Sequence, residues 1–105
     1  MTAGIGTDAN PRDGDRITLG IEVQLNVVTV SRTEVRGCAA SERASRALAV
    51  IASGKRIEEI WQIDARTLAA AMDELPEDEE RCALTAIGAL RAAVVDARVR
   101  SLVER

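Results

Sequence analysis

Two cysteines and one Asp-Gly-Asp turn carry the chemistry that this chain can offer beyond packing. Cys38 ends a strand-like run, Val35-Arg36-Gly37-Cys38, and opens a helix. Cys82 opens the last helix, shortly after Leu75-Pro76. Thiols at element boundaries can converge on one point, as metal or sulfur chemistry requires. The turn Asp13-Gly14-Asp15 would bring carboxylates to that point. The chain has no histidine, tyrosine or phenylalanine, so nothing else in it offers comparable chemistry.

Those residues need elements to hold them. Met1 to Pro11 is rich in Gly, Thr, Asp and Asn and reads as a loose lead-in, with a short edge strand near Ala3 to Gly6. Asn10-Pro11 and Asp13-Gly14 are turn signals. From Arg16 the period is two: Ile17, Leu19, Ile21, Val23 and Leu25 alternate with polar residues and glycine, as in a half-buried strand. Asn26 falls in a short hairpin, and Val28 to Val35 is the antiparallel partner, packing through Val28, Val30 and Val35.

After Gly37-Cys38 the period becomes helical. Ala44, Leu48 and Ile51, with Ala47 beside them, mark an amphipathic helix that Gly54 terminates. Ile57 to Ile63 predicts a short second helix. Asp64 is an N-cap for a third, Ala65 to Glu74, broken by Pro76. The last helix starts near Glu79, with Ala83, Ile87, Leu90, Val94 and Ala97 as its buried stripe. Strands first and helices after predict an α+β sandwich: a small antiparallel sheet of two to three strands with four helices on one face.

The chain has 105 residues, enough for one modest core. It is 47% hydrophobic but 1% aromatic, so Ala, Val, Leu and Ile must fill that core. A net charge of -3 argues against nucleic acid as a partner, because phosphate binding favours a basic stripe. No apolar run approaches the roughly 18 residues that cross a bilayer, so no membrane role is expected. The first ten residues carry no signal-peptide pattern, and the expected location is cytoplasmic. There, two cysteines read as free thiols or ligands rather than a structural disulfide.

In order, these segments resemble the U-type iron–sulfur cluster scaffold family, the IscU proteins and the N-terminal domain of NifU. Asn10-Pro11-Arg12-Asp13-Gly14-Asp15 is similar to the family's Asn-Pro-x-Cys-Gly-Asp, with aspartate in place of the cysteine. Gly37-Cys38 is similar to the Gly-Cys that opens its first long helix, with Ser41, Ala44 and Ser45 in the Ser/Ala-rich first turns. Gly54-Lys55 with Glu58-Glu59-Ile60 resembles its Gly-Lys-x-x-Glu-Glu ending. Leu75-Pro76 and Cys82, then Ala89-Leu90-Arg91-Ala92-Ala93, resemble its last cysteine and final helix. The resemblance spans roughly Ala3 to Asp96 and implies one domain of that fold over residues 1–105.

The departures shape what is implied. Asp13 stands where the family has its first cysteine, and Arg81 where it often has histidine. The family's N-terminal helix, which contributes to docking the cysteine desulfurase, has no room before Ala3. Leu75-Pro76-Glu77-Asp78-Glu79 replaces the Leu-Pro-Pro-Val-Lys segment that recruits a dedicated Hsp70 chaperone, so that partner is not implied. Carried over residue by residue, the ligand set is Asp15, Cys38 and Cys82, with Asp13 as a substitution and Arg81 as neighbour.

That set joins two thiolates and two carboxylates. Zinc accepts such a mixture at tetrahedral geometry. Iron–sulfur clusters prefer thiolates, so a cluster here, a [2Fe-2S] centre for instance, would be labile. Plainer readings stand beside these. A cysteine in a small domain can be a small buried hydrophobe. Asp13 and Asp15 can be turn formers. Arg81 and the helix start can lower the Cys82 pKa, or Arg81 can simply offset the acidic run Asp73 to Glu80. Lys55 can cap a helix end. Trp61 reads as core or as a half-buried anchor.

Three functions follow. The first is a non-enzymatic scaffold or carrier binding iron or a cluster between Cys38, Cys82 and the Asp13/Asp15 turn, partnered by a cysteine desulfurase. The second is a degenerate scaffold reused as an accessory or interaction subunit in metalloenzyme maturation. The third is a zinc-dependent acceptor of persulfide sulfur, with Cys82 as the acceptor.

Overall fold

The computed structural model describes residues 1–10, 12, 14–72 and 80–103. The period-two run forms β2 (Asp15–Gln24), which pairs antiparallel with β1 (Thr2–Asn10) on one side and β3 (Val27–Arg36) on the other. The helices are α1 (Ala39–Ala52), α2 (Ile57–Ile60), α3 (Ala65–Ala71) and α4 (Glu80–Val103). The expected α+β class holds, with three strands in the order β1-β2-β3. α4 packs along β1 and β2, α1 against β3, and α3 against both of those helices. No helix among the described residues is long and apolar enough to cross a membrane.

β2 and β3 are joined by Leu25 and Asn26, both at positive φ (50° and 67°). Such a two-residue turn twists with the strands it connects. Leu25 is therefore turn rather than packing face, and it is 91% exposed. Asn26 donates to Glu58 Oε1 at 2.6 Å, tying the turn to α2.

β3 needs an irregularity to bury the valines expected of it. Val28 and Val30 share one parity, and Val35 has the other. A register shift opposite Gly20 and Ile21 leaves Ser31 as the extra residue. Ile17 then faces Val35, Leu19 faces Thr33, Ile21 faces Val30 and Val23 faces Val28. Both parities thus reach the helical side, as a bulge permits.

β1 is longer than the expected Ala3 to Gly6. Its pairing puts Gly4 and Gly6 opposite Ile21 and Leu19, on the face that α4 covers. A Cβ on Gly4 would lie 2.3 Å from the Ala93 carbonyl oxygen, and one on Gly6 2.2 Å from that of Ala89. The helix lies directly on the strand backbone. No apolar alternation marks this strand because two of its core positions, Gly4 and Gly6, have no side chains and the inward-facing Asp8 and Asn10 are polar. On the outer edge of β1, Ile5 N–H donates to Asp96 Oδ2 at 2.8 Å. That carboxylate blunts an otherwise open strand edge.

The helical core matches expectation. Ala44 and Leu48 of α1 are buried, Ile51 is half-buried, and Ala83, Ile87, Leu90, Val94 and Ala97 of α4 are all buried. Asp64 caps α3, accepting from Thr67 N–H at 2.8 Å. Gly54 follows α1 at φ 90° and donates to the Val28 carbonyl at 2.8 Å, so the helix end is stitched to β3. α2 stops at Ile60 rather than Ile63. The expected end of α3 at Glu74, the Pro76 break and the start of α4 at Glu79 lie outside the described residues.

Candidate metal centre

Three element ends meet at one point. Gly14, at φ 73°, donates to the Asn10 carbonyl at 2.9 Å and closes the β1–β2 turn. Asp15 begins β2 opposite Asn10 and is 2% exposed. Cys38 is the N-cap of α1, with extended backbone and no capping by its own side chain. Cys82 lies in the first turn of α4.

The Asp15 carboxylate is the hub. Cys38 N–H donates to Oδ1 at 3.1 Å, and the Ser41 hydroxyl donates to Oδ2 at 2.9 Å. Oδ2 also lies 3.5 Å from Cys38 Sγ and 3.6 Å from Cys82 Sγ. The two sulfurs are 3.8 Å apart. One donor atom from each of Asp15, Cys38 and Cys82 falls within 4.8 Å of the others. The expected convergence is present for these three residues. Asp13 lies outside the described residues.

These spacings suit one ion. Bonds of about 2.3 Å to sulfur and about 2.1 Å to oxygen at tetrahedral angles give S···S edges of about 3.8 Å and S···O edges of about 3.6 Å. Three donors so placed form one face of a tetrahedron and leave a fourth position. Cys38 is exposed and Cys82 buried, so that face borders solvent on the Cys38 side. The N-terminal ends of α1 and α4 both supply Asp15 and the thiols with positive partial charge.

Burial pushes the Asp15 carboxyl up. The hydrogen bonds from Ser41 and the Cys38 amide, with smaller contributions from the two thiols, outweigh it and leave the group below its usual range. Cys82 goes the other way. Burial first, and then the neighbouring Cys38 and Asp15, push its thiol up to about 11 against the smaller pull of Ser41. Of the two readings of Arg81, the one in which it and the helix start lower this pKa finds no support. At a sulfur as buried as that of Cys82, desolvation of a thiolate beats a half helix charge.

Gly37 makes the close approach possible. It has φ 147°, and a Cβ on it would lie 1.9 Å from Asp15 Oδ1. Gly37→Ala is therefore expected to swing the carboxylate off the thiols while the sheet and helices persist. Zinc affinity by chelator competition should fall about tenfold or more, as for loss of a ligand's supporting contacts. An unchanged affinity would refute this packing.

Sequence reasoning placed Ser41 only in a small-residue turn of α1. Its spacing from Cys38, three residues on one helical face, is the signal that could have put it in the site. Trp61, expected in the core or as a half-buried anchor, is instead exposed at 38%, with the Arg91 guanidinium 6.0 Å from its ring centroid. It takes no part in the centre.

The model of the NifU-like N-terminal domain family matches residues 1–103. Two curated relatives, the iron-sulfur cluster assembly scaffold proteins IscU 1 and IscU 2 of Archaeoglobus fulgidus, are each 38% identical to this chain over 93 residues. The match covers 89% of this chain and 61% of each relative, so the chain spans about three fifths of their length. Among solved structures, the N-terminal part of a nitrogen-fixing NifU-like protein from Brucella abortus superposes with a TM-score of 0.72 at 16% identity. That likeness covers 90% of this chain and 78% of the other, and it speaks to the fold.

Proposed function

The chain belongs to the NifU-like N-terminal domain family, and on that premise we propose that it is an iron–sulfur cluster assembly scaffold or carrier. Asp15, Cys38 and Cys82 would hold the iron or nascent cluster, which is cargo to be passed on. The observation that carries this reading is the Asp15 oxygen set 3.5 and 3.6 Å from two thiols that are themselves 3.8 Å apart. Asp13 joins the proposed set by its place two residues before Asp15. Arg81 is a neighbour of the site and not a ligand.

The chemistry is coordination and ligand exchange, so the reading is of a binding protein without turnover. Thiolates bind iron in clusters more firmly than carboxylates do. An Asp-ligated iron is therefore the weak point from which cargo leaves. Sulfide has to come from outside, which calls for a sulfur donor such as a cysteine desulfurase together with a two-electron reductant that takes its persulfide sulfur to sulfide, and a recipient apoprotein must follow. The donor distances support zinc as a second occupant. A nucleophilic sulfur acceptor at Cys82 is disfavoured by the raised thiol pKa. The accessory-subunit reading draws on exposed Leu84, Val95, Val99 and Leu102 of α4, a surface that a partner chain would cover.

The test is iron, zinc and acid-labile sulfide content after purification without oxygen, with an absorption spectrum of the same sample. Iron and sulfide in near-equal amounts with visible charge-transfer bands are the expected result. Zinc alone would move the reading to zinc-dependent sulfur transfer. No metal after reconstitution would overturn both and leave the accessory subunit.

A further inference from the structure

We propose that Ser41 is the positioning residue of the centre, fixing Asp15 as a ligand that offers one oxygen. The inference rests on the assignment of Asp15, Cys38 and Cys82 as donors. Ser41 is fully buried in the first turn of α1. A serine there commonly bonds within its own helix. Ser45, one turn on, does so and donates to the Ser41 carbonyl at 2.9 Å. Ser41 instead sends its hydroxyl proton across the fold to Asp15 Oδ2 at 2.9 Å.

The consequence is geometric. The Cys38 amide holds Oδ1, and Ser41 holds Oδ2. With both oxygens held, the carboxylate plane cannot rotate. Oδ1 also faces Gly37, where even a Cβ would be 1.9 Å away, so an ion cannot reach it from that side. A carboxylate oxygen accepts at about two lone-pair sites. Ser41 takes one of those on Oδ2, and the other faces the two sulfurs. An ion seated between the sulfurs is then met by Oδ2 alone. Without the hydroxyl, the carboxylate keeps a single tether at Oδ1 and can turn toward bidentate or detached arrangements.

The experiment is anaerobic titration with cobalt(II) of the wild type, Ser41→Ala, Ser41→Thr and Cys82→Ser, read by visible absorption. Alanine is a strong helix former, so Ser41→Ala should keep α1 intact, and thermal unfolding of the apoproteins checks this. Ser41→Ala is expected to weaken cobalt(II) about tenfold, as removal of an outer-shell partner does, and to shift the ligand-field bands. Ser41→Thr, which keeps the hydroxyl, is expected to restore both. Wild-type affinity and bands in Ser41→Ala would overturn the role of Ser41. Equal weakening in both Ser41 variants would assign the effect to packing and overturn it too. Wild-type binding by Cys82→Ser would instead bring down the donor assignment, and this inference with it.

Discussion

Gly6→Ala is expected to lower the melting temperature by roughly 10–25 °C. The added Cβ would lie 2.2 Å from the Ala89 carbonyl oxygen and 2.2 Å from the Ala93 nitrogen. Both are backbone atoms of α4, which no rotamer change can move aside. The strand and the helix must separate by more than 1 Å to reach ordinary contact of about 3.5–4.0 Å. Overpacking of this kind costs about 3 kcal/mol, and each kcal/mol shifts the melting point of a domain this size by about 4–8 °C. Gly54→Ala is the control. Nothing lies within 4 Å of its Cβ, and only the left-handed backbone at φ 90° resists it. It should melt well above Gly6→Ala. If the two variants melt together near the wild type, α4 does not rest on β1 as described. The functional corollary is that Gly6→Ala also displaces Cys82, since the helix that must lift carries that thiol.

Gly4 and Gly6 also explain where sequence reading stops. β2 was legible because Ile17, Leu19 and Ile21 repeat every second residue and fill the core. α4 was legible because its buried residues recur at helical spacing. β1 was read as a loose lead-in because contact there is made by backbone, and absent side chains leave no period. Leu25 was read with the strand because its apolar character continued the alternation. A turn needing positive φ at two successive positions overrode that pattern. In β3 the three expected valines were right, yet their parities conflict, and a conflict of that kind is itself a sequence signal for a bulge.

Most of the candidate centre was legible for a related reason. Asp15, Cys38 and Cys82 each sit beside a boundary mark: Gly14, Gly37 and the start of the last helix. Boundaries on the same end of a sandwich meet. The roles of Ser41 and Gly37 were not read, because each depends on a contact with Asp15 that only the folded chain makes. The upward shift of Cys82 was not read because its cause, burial, is not visible in the sequence. Desolvation acts on the sulfur itself.

That burial gives Cys82→Ser two opposite expected effects. In the apoprotein the folded thiol titrates at about 11, above its ordinary 9.0. The folded state therefore holds this proton more tightly than the unfolded chain does. The resulting stability is fully present below about pH 9 and is lost as pH rises toward 11. Its size is on the order of 2 kcal/mol. Serine does not ionise in that range, so Cys82→Ser should lack this alkaline decline. Metal binding runs the other way. The ion must expel the Cys82 proton, so below pH 9 wild-type zinc affinity should rise about tenfold per pH unit for that proton alone. Cys82→Ser removes the donor and that proton together. Zinc affinity at pH 7 should fall at least about a hundredfold, more than loss of an outer-shell contact produces, and the pH slope should become shallower by one proton. Chelator competition from pH 6 to 8 and thermal unfolding of the apoprotein from pH 7 to 11 read the two effects separately. A variant that kept wild-type zinc affinity would remove Cys82 from the centre. A variant that lost affinity with the wild-type slope intact would leave Cys82 as a ligand, and would mean that its thiol reaches the ion already ionised.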